Sequence, residues 1–383
     1  MKEKVQEIFK NSFGSEAGII VRSPGRVNII GEHTDYNNGF VLPAAIDKTA
    51  WLAVKLRDDD EIHLRAHDLD ETFSIHRNDI RPVGDPGWPN YILGAVAQFV
   101  KQGIAVRGFD AVLTSNVPIG AGLSSSAAVE CAVVFALNKL LETGYDRLAM
   151  VKMAQKAEHE YAGVLCGIMD QFASMMGKKD QAIKLDCRSL EYAYVPVNMH
   201  RVKIVLLNTN VNHSLASSEY NTRRKECEQA VTWIKEKYPD VSSLRDVSLQ
   251  MLDQCVKQRD MVVDKRARFV VQEMQRLQEG CRSLEEGNIV ALGKKMFATH
   301  DGLTKMYEVS CKELDFLVDA VRDNDAVIGA RMMGGGFGGC TINLIKEERV
   351  EQLVAVVKTA YEREMNLPLT CYIASIEDGT TVV

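Results

Sequence analysis

The sequence predicts an α+β protein of two domains, and three observations carry the prediction. At 383 residues the chain exceeds what a single hydrophobic core comfortably serves. Short β-rich runs crowd the first 115 residues and return after residue 326. Between them, residues 215–300 are highly charged and read as mostly helical. The boundary is expected near residue 200, which gives domains 1–200 and 201–383.

The elements follow in order. Residues 1–10 mix Lys, Glu and apolar side chains and predict a short amphipathic helix. Residues 18–21, 27–30, 40–42 and 50–56 are β-rich. A helix is expected at 91–101 and a strand at 109–113. Residues 124–142 are apolar nearly all round, so that helix should be buried. A second helix spans 146–161 with Asp146 as its N-cap, and a third continues from Asp170 to about Met176. A strand at 202–208 marks the expected boundary. Strands at 326–332, 340–345 and 371–376 follow, with a helix near 347–364.

Composition narrows the class. Hydrophobic residues at 46% and charged residues at 26% are ordinary for a folded globular chain. The net charge of −6 argues against a broad grip on nucleic acid, while leaving room for a local cationic pocket. Nine cysteines, an odd number with no C-x-x-C pair, fit reduced thiols better than a disulfide framework. The first 13 residues lack the apolar core of a signal peptide. Residues 111–138 carry one charge, Glu130, but Pro118, Gly120, Gly122 and three serines break the run, so no membrane span is expected. A cytoplasmic protein with neither membrane nor nucleic-acid partner is the expectation.

Two glycine-rich loops stand out. The run PIGAGLSSSAA at 118–128 follows a strand and opens the buried helix. Helix N-termini present unpaired N–H groups and a positive dipole end, glycines admit a ligand close to the backbone, and serines add caps and hydroxyls. Together they suit phosphate. The loop is not a Walker P-loop, since G-x-x-x-x-G-K-[ST] is absent, and a second helix follows where a Rossmann unit would place a strand. The run GGGFGG at 334–339 lies between two strands, and its five glycines suggest close approach of backbone to something bulky.

The run GRVNIIGEHTDYN at 25–37 is the densest polar cluster between apolar strands. Carboxylates that only accept hydrogen bonds, beside a histidine that donates or accepts, suit a substrate rich in hydroxyls. Read by composition alone, the same residues make a solvated turn. Glu158 shares a helix face with Val151, Ala154 and Tyr161, and a carboxylate on an apolar stripe needs Mg²⁺ or a buried cation as partner. His159-Glu160 is followed by Gly163 instead of a second histidine, which removes H-E-x-x-H zinc chemistry, and no G-x-S-x-G elbow exists.

These residues resemble the galactokinase family of the GHMP kinase superfamily. The 25–37 run looks like the galactokinase signature, 120–128 resembles the superfamily's ATP-binding motif, and 334–341 resembles its third motif. CGIMDQ at 166–171 and SSEYN at 217–221 also match galactokinases. The resemblance runs from about residue 20 to the C-terminus, with Met333 as one departure, where relatives often carry a small hydroxyl residue. It implies an N-terminal ribosomal-S5-like α/β domain and a C-terminal ferredoxin-like α+β domain, with the site between them. It implies catalytic roles for Asp170 and Arg26, which would flank the reacting hydroxyl. Glu32, His33, Asp35, Gly167, Asp170 and Tyr220 would hold the sugar. Gly120, Ala121, Gly122, Leu123, Ser124, Ser125 and Ser126 would cradle ATP phosphates, with Trp88 near the adenine. Ser126 and Glu158 would bind Mg²⁺.

The implied reaction is ATP-dependent phosphorylation of the anomeric hydroxyl of α-D-galactose, the first committed step of galactose catabolism, by a monomer. Another sugar kinase of the superfamily, such as an N-acetylgalactosamine kinase, is the nearest alternative. A non-catalytic sugar and ATP sensor is a second, against which the complete serine run at 124–128 and the presence of Asp170 both argue.

Overall fold

A computed structural model describes residues 1–84, 87–211 and 216–383, without the side chains of residues 216–218; Ser217 and Ser218 of the SSEYN match therefore fall outside the described side chains. The chain opens with helix α1 (Lys2–Phe13) and strand β1 (Ile19–Asn28), then β2 (Phe40–Val41), β3 (Pro43–Leu56), β4 (Glu61–Ala66) and β5 (Glu71–His76). Helix α2 (Pro89–Lys101), strand β6 (Phe109–Ser115) and helices α3 (Ser125–Leu140), α4 (Arg147–Ala157) and α5 (Met169–Met176) follow. Strands β7 (Gln181–Asp186), β8 (Tyr192–Pro196) and β9 (Val202–Asn208) lead to helices α6 (Ala216–Lys235), α7 (Leu249–Cys255), α8 (Met261–Glu285), α9 (Ile289–Gly302) and α10 (Lys312–Arg322). The last elements are β10 (Val327–Met332), β11 (Cys340–Lys346), α11 (Val350–Met365), β12 (Thr370–Ala374) and β13 (Thr381–Val382).

Three sheets organise these strands. The first runs β13-β1-β3-β6-β4-β5, antiparallel except for the parallel β4–β6 pair. The second is antiparallel, β10-β11-β9-β12, and the small third is β2-β7-β8. Helix α3 lies on β1 and β3 with α2 and α4 beside it, and its residues 127–138 are all buried, as its all-round apolar sequence requires. The second sheet alternates between two cores with the period of two that strands impose. Ile204 and Leu206 join the main core, while Val205 and Leu207 face α10 and α11. The end of the chain returns to the first sheet through β13 and an Ile46–Ile376 bridge.

The expected elements mostly form, with informative differences. Runs 18–21 and 27–30 fall on one strand, which ends at Asn28, because a bulge between Pro24 and Arg26 absorbs the Pro-Gly pair that reads as a break. Strands β4, β5, β7, β8 and β13 were not expected. Asp146 does cap α4, accepting from the Ala149 N–H at 2.7 Å. The helix expected to reach Tyr161 instead stays α only to Ala157 and opens into a π turn at Glu158–Ala162, a device common where a helix carries functional groups. All nine cysteines are free thiols. No helix among the described residues is long and apolar enough to cross a membrane.

Candidate active site

The site is built around the bulge in β1. There Gly25 is indispensable: a Cβ would stand 2.6 Å from the Leu123 carbonyl, and the next residue's N–H, from Arg26, bonds that same carbonyl at 3.1 Å. The serine-rich loop is thereby docked onto the strand that carries the polar cluster. Arg26 projects from the bulge and is almost wholly buried. Its Nε and Nη2 donate to Asp170 Oδ1 and Oδ2 at 2.8 and 2.9 Å, and its Nη1 donates to the Gly122 carbonyl at 2.5 Å. Forked, charge-assisted pairs of this kind fix both partners in orientation. Burial works against the guanidinium's charge, but Asp170 outweighs it and raises its pKa above the ordinary value.

A small pocket of about 170 Å³ opens beside this pair. Arg26, Glu32, His33 and Asp35 line it, with Gly167 from just before α5, Asp170 from the first turn of α5 and Tyr220 from α6. The polar cluster is thus buried, not the solvated turn that composition allowed. Glu32 is ion-paired with Arg331 of β10 at 2.9 Å and accepts from the Gly334 N–H and Asn28 Nδ2, each at 3.0 Å. His33 sits in the left-handed region at φ 60. Burial, the largest influence, holds its pKa down to about 4. Its Nδ1 lies 2.8 Å from Tyr36 Oη, and its Nε2 is buried with no hydrogen-bond partner. Asp35 is pushed up to about 7, first by burial and then by the neighbouring Asp170 charge. Gly167 leaves the space Asp35 occupies, since a Cβ there would stand 1.8 Å from Oδ2.

A larger cavity of about 820 Å³ adjoins the first. Gly120, Gly122, Leu123, Ser124, Ser125 and Ser126 form one wall, and Trp88 lies on its rim, its Nε1 donating to Glu71 at 2.6 Å. Ala121 is not on this wall; it is buried beneath it, against Gly339. Ser124 adopts a left-handed backbone at φ 57 and does not cap α3. Its hydroxyl donates to Asp170 Oδ2 at 2.5 Å instead. The N–H groups at the head of α3 are therefore not consumed by that serine and stay available to an anion. The second glycine loop packs on protein: Gly336 and Gly338 have no room for a Cβ against the Val309 and Val211 carbonyls, and Gly334 faces Gly122. The bulky object that its glycines accommodate is largely the chain itself.

Ser126 Oγ donates to Glu158 Oε1 at 2.9 Å. Burial, then Asp170, raises the Glu158 pKa, and among the described residues no Lys, Arg or His pairs with it. Two hard oxygen donors, one of them a carboxylate without a cation, fit a divalent ion that completes its shell with water and phosphate oxygens. Sequence reasoning missed the groups behind this pair. Gln171 Nε2 bridges Glu158 Oε2 at 2.6 Å and the fully buried Glu130 Oε2 at 3.1 Å. The lone charge of Glu130 in an apolar run was the available signal. Arg331 was missed as well, and a lone arginine inside an apolar strand was the hint for it.

Arg26, Asp170, Gly334 and Gly335 line both cavities, so the larger and the smaller cavity share a cationic, carboxylate-bearing wall. Fold and site together define a small-molecule kinase of the GHMP type. Residues 90–178 match the GHMP kinases N terminal domain, residues 282–363 the GHMP kinases C terminal, and residues 7–56 the galactokinase galactose-binding signature. The chain is 40% identical to the galactokinase of Thermotoga maritima over 94% of its own length and 98% of the relative's. It is 40% identical to that of Bacillus subtilis over 99% and 98%. The crystal structure of Lactococcus lactis galactokinase complexed with galactose superposes with a TM-score of 0.94 at 34% identity, covering 99% of both chains. The mevalonate kinase of Methanococcus jannaschii shares the fold, with a TM-score of 0.69 at 19% identity. The chain belongs to the galactokinase family, and so to the ATP-dependent sugar kinases.

Proposed function

We propose that the protein transfers the γ-phosphoryl group of ATP to the anomeric hydroxyl of α-D-galactose, giving galactose 1-phosphate. The observation that carries this reading is the Arg26–Asp170 pair on the wall common to the two cavities. Galactose occupies the small pocket, with Glu32, His33, Asp35, Gly167 and Tyr220 against its hydroxyls. ATP occupies the larger one, its phosphates on Gly120 to Ser126 and its adenine toward Trp88.

Phosphoryl transfer asks mainly for positioning and for neutralisation of charge. Asp170 accepts or orients the hydroxyl proton. Arg26 orients that carboxylate through its two hydrogen bonds and offsets charge on the transferring group. Ser126 and Glu158 would hold Mg²⁺, which would neutralise phosphate charge. Residues 1–200 supply most of both sites, and residues 201–383 close them with Tyr220 and the Gly334 loop. We propose as well that the protein acts as a cytoplasmic monomer.

An ADP-release assay across monosaccharides tests the proposal. Galactose should drive turnover well above glucose and N-acetylgalactosamine. Preferred turnover of N-acetylgalactosamine, or of homoserine or mevalonate, would overturn it.

A further inference from the structure

Both oxygens of the Glu158 carboxylate are held, and by different parts of the fold. Oε1 accepts from Ser126 of α3, which lines the larger cavity. Oε2 accepts from Gln171 Nε2 at 2.6 Å and from Cys166 Sγ at 3.3 Å. Gln171 follows Asp170 in α5 and is fully buried, and its Nε2 also donates to Glu130 Oε2 at 3.1 Å. Glu130 is fully buried too and stands four residues after Ser126, so one face of α3 carries both.

We propose that Gln171 is a positioning residue for the divalent cation: it holds Glu158 Oε2 so that Oε1 and the Ser126 hydroxyl face the ion, and Glu130 is the anchor that fixes Gln171. The proposal rests on the reading of Ser126 and Glu158 as the cation pair.

The geometry gives each group one task. A side-chain amide nitrogen has two N–H bonds, and here each has its own carboxyl oxygen, one from Glu158 and one from Glu130. Turning the amide over would set its carbonyl against the same two oxygens, so the pair of acceptors locks its orientation. Glu158 needs such a lock. It stands at the first residue of the π turn, where the α4 backbone has left regular geometry, and its side chain is long. Mg²⁺ demands near-ideal octahedral geometry, which a loosely aimed carboxylate does not supply. Partners behind a metal ligand act by fixing its orientation.

A role in stability alone accounts for the cluster less well. Glu130 Oε1 and Gln171 Oε1 are both buried without a hydrogen-bonding partner. A half-satisfied polar network inside an apolar core stabilises less than apolar side chains of the same volume would. Residues 127–138 of α3 are all buried and mostly apolar, so a methionine at position 130 suits its surroundings.

The test uses Mn²⁺, a paramagnetic stand-in for Mg²⁺ at oxygen ligands. The full-length protein is held in excess over a non-hydrolysable ATP analogue, and bound Mn²⁺ is read from the loss of the free-ion EPR signal. Gln171→Met should weaken Mn²⁺ binding by about 10–100-fold, and Glu130→Met, which offers Gln171 no oxygen, by about 10-fold. Glu130→Gln, whose carbonyl still accepts from Gln171, should bind Mn²⁺ close to wild type. The Tm of Glu130→Met should equal or exceed that of wild type, and calorimetric galactose affinity should be unchanged in both position-130 variants. A lowered Tm with wild-type Mn²⁺ affinity in Glu130→Met would make the cluster structural and overturn the proposal. Equal weakening in Glu130→Gln and Glu130→Met would overturn the anchor. The two position-130 variants decide the matter even where Gln171→Met fails to fold. Glu158→Gln separates this proposal from the reading beneath it. Wild-type Mn²⁺ affinity in Glu158→Gln would refute the cation pair itself, whereas weakened binding there with none in Gln171→Met would refute only the positioning role.

Discussion

Arg331 and Glu32 meet at 2.9 Å with side-chain exposures of 0% and 2%, although 299 residues separate them in sequence. Arg331 also donates to the carbonyls of Ile29, Met332 and Asn28. The acid of the polar cluster is thus set by an arginine from the second sheet. It also holds the Gly334 N–H, and Gly334 lines both cavities. The small pocket and the glycine loop are therefore joined through one carboxylate.

Glu32→Gln should destabilise the protein strongly. It leaves a fully buried guanidinium without its counter-charge, a change that costs about 3–5 kcal/mol in other buried pairs. Burial pushes the Glu32 carboxyl up, but Arg331, the Gly334 N–H, Arg26 and Asn28 together bring it below its ordinary value. The stabilisation is therefore complete above the unfolded value of roughly 4.3 and is lost as pH falls through the lower folded value. Urea midpoints measured from pH 7 to pH 3 should show that acid loss in the wild type and a smaller one in the variant. Equal midpoints at pH 7 would contradict it.

Asp35 should behave in the opposite sense. Its folded pKa of about 7 lies above the unfolded value of roughly 3.9, so folding favours the protonated acid. Its contribution to stability is present below about pH 4 and declines as pH rises toward 7. Asp35→Asn removes that decline. The Tm of the variant relative to wild type, without sugar, should rise between pH 4 and pH 8, while galactose binding weakens. A Tm difference that stays flat with pH would show that Asp35 is ionised throughout.

Glu158→Gln should raise the Mg²⁺ concentration needed for half-maximal turnover and leave galactose affinity nearly intact. The amide removes the charge that suits a hard cation, and the Ser126 hydroxyl remains. Titration of rate against Mg²⁺ at saturating ATP reads the effect. Unchanged Mg²⁺ dependence would return Glu158 to a structural role with Gln171 and Cys166.

Asp170→Asn should lower turnover by roughly 10²–10⁴-fold, the range for a lost general base, with galactose still bound. The amide keeps the shape but gives up one of the two acceptors that Arg26 uses and cannot take the hydroxyl proton. Calorimetric galactose binding and steady-state rate on the same preparation separate the two effects. Near-normal turnover would leave positioning by Arg26 as the main contribution.

The chain's local order was legible where local forces dominate. The apolar circumference of α3, the Asp146 cap and the strand at Val202–Asn208 needed only near neighbours in sequence. Strands β4 and β5 escaped notice because they carry charged and half-exposed side chains, and β4 is completed by a parallel partner more than 40 residues away. Pro24-Gly25 read as a break because both residues signal turns, whereas here they form a bulge.

By itself the sequence determined which chemistry is present: a glycine-serine loop at a helix start, a run of acids around His33, and Glu158 on an apolar stripe. A residue's type and its near spacing fix what it can donate, accept or ligate. The tertiary structure alone decided how that chemistry is set. It turned Ser124 from a cap into a partner of Asp170, gave Glu32 to Arg331, put Gln171 between Glu130 and Glu158, and ran a hydroxyl chain from His33 to Cys227. Each of these depends on burial and on partners 13 to 299 residues apart, or on chains of contacts that cross the core. Protonation and hydrogen-bond direction follow from the dielectric and from those partners, and neither is encoded in local spacing.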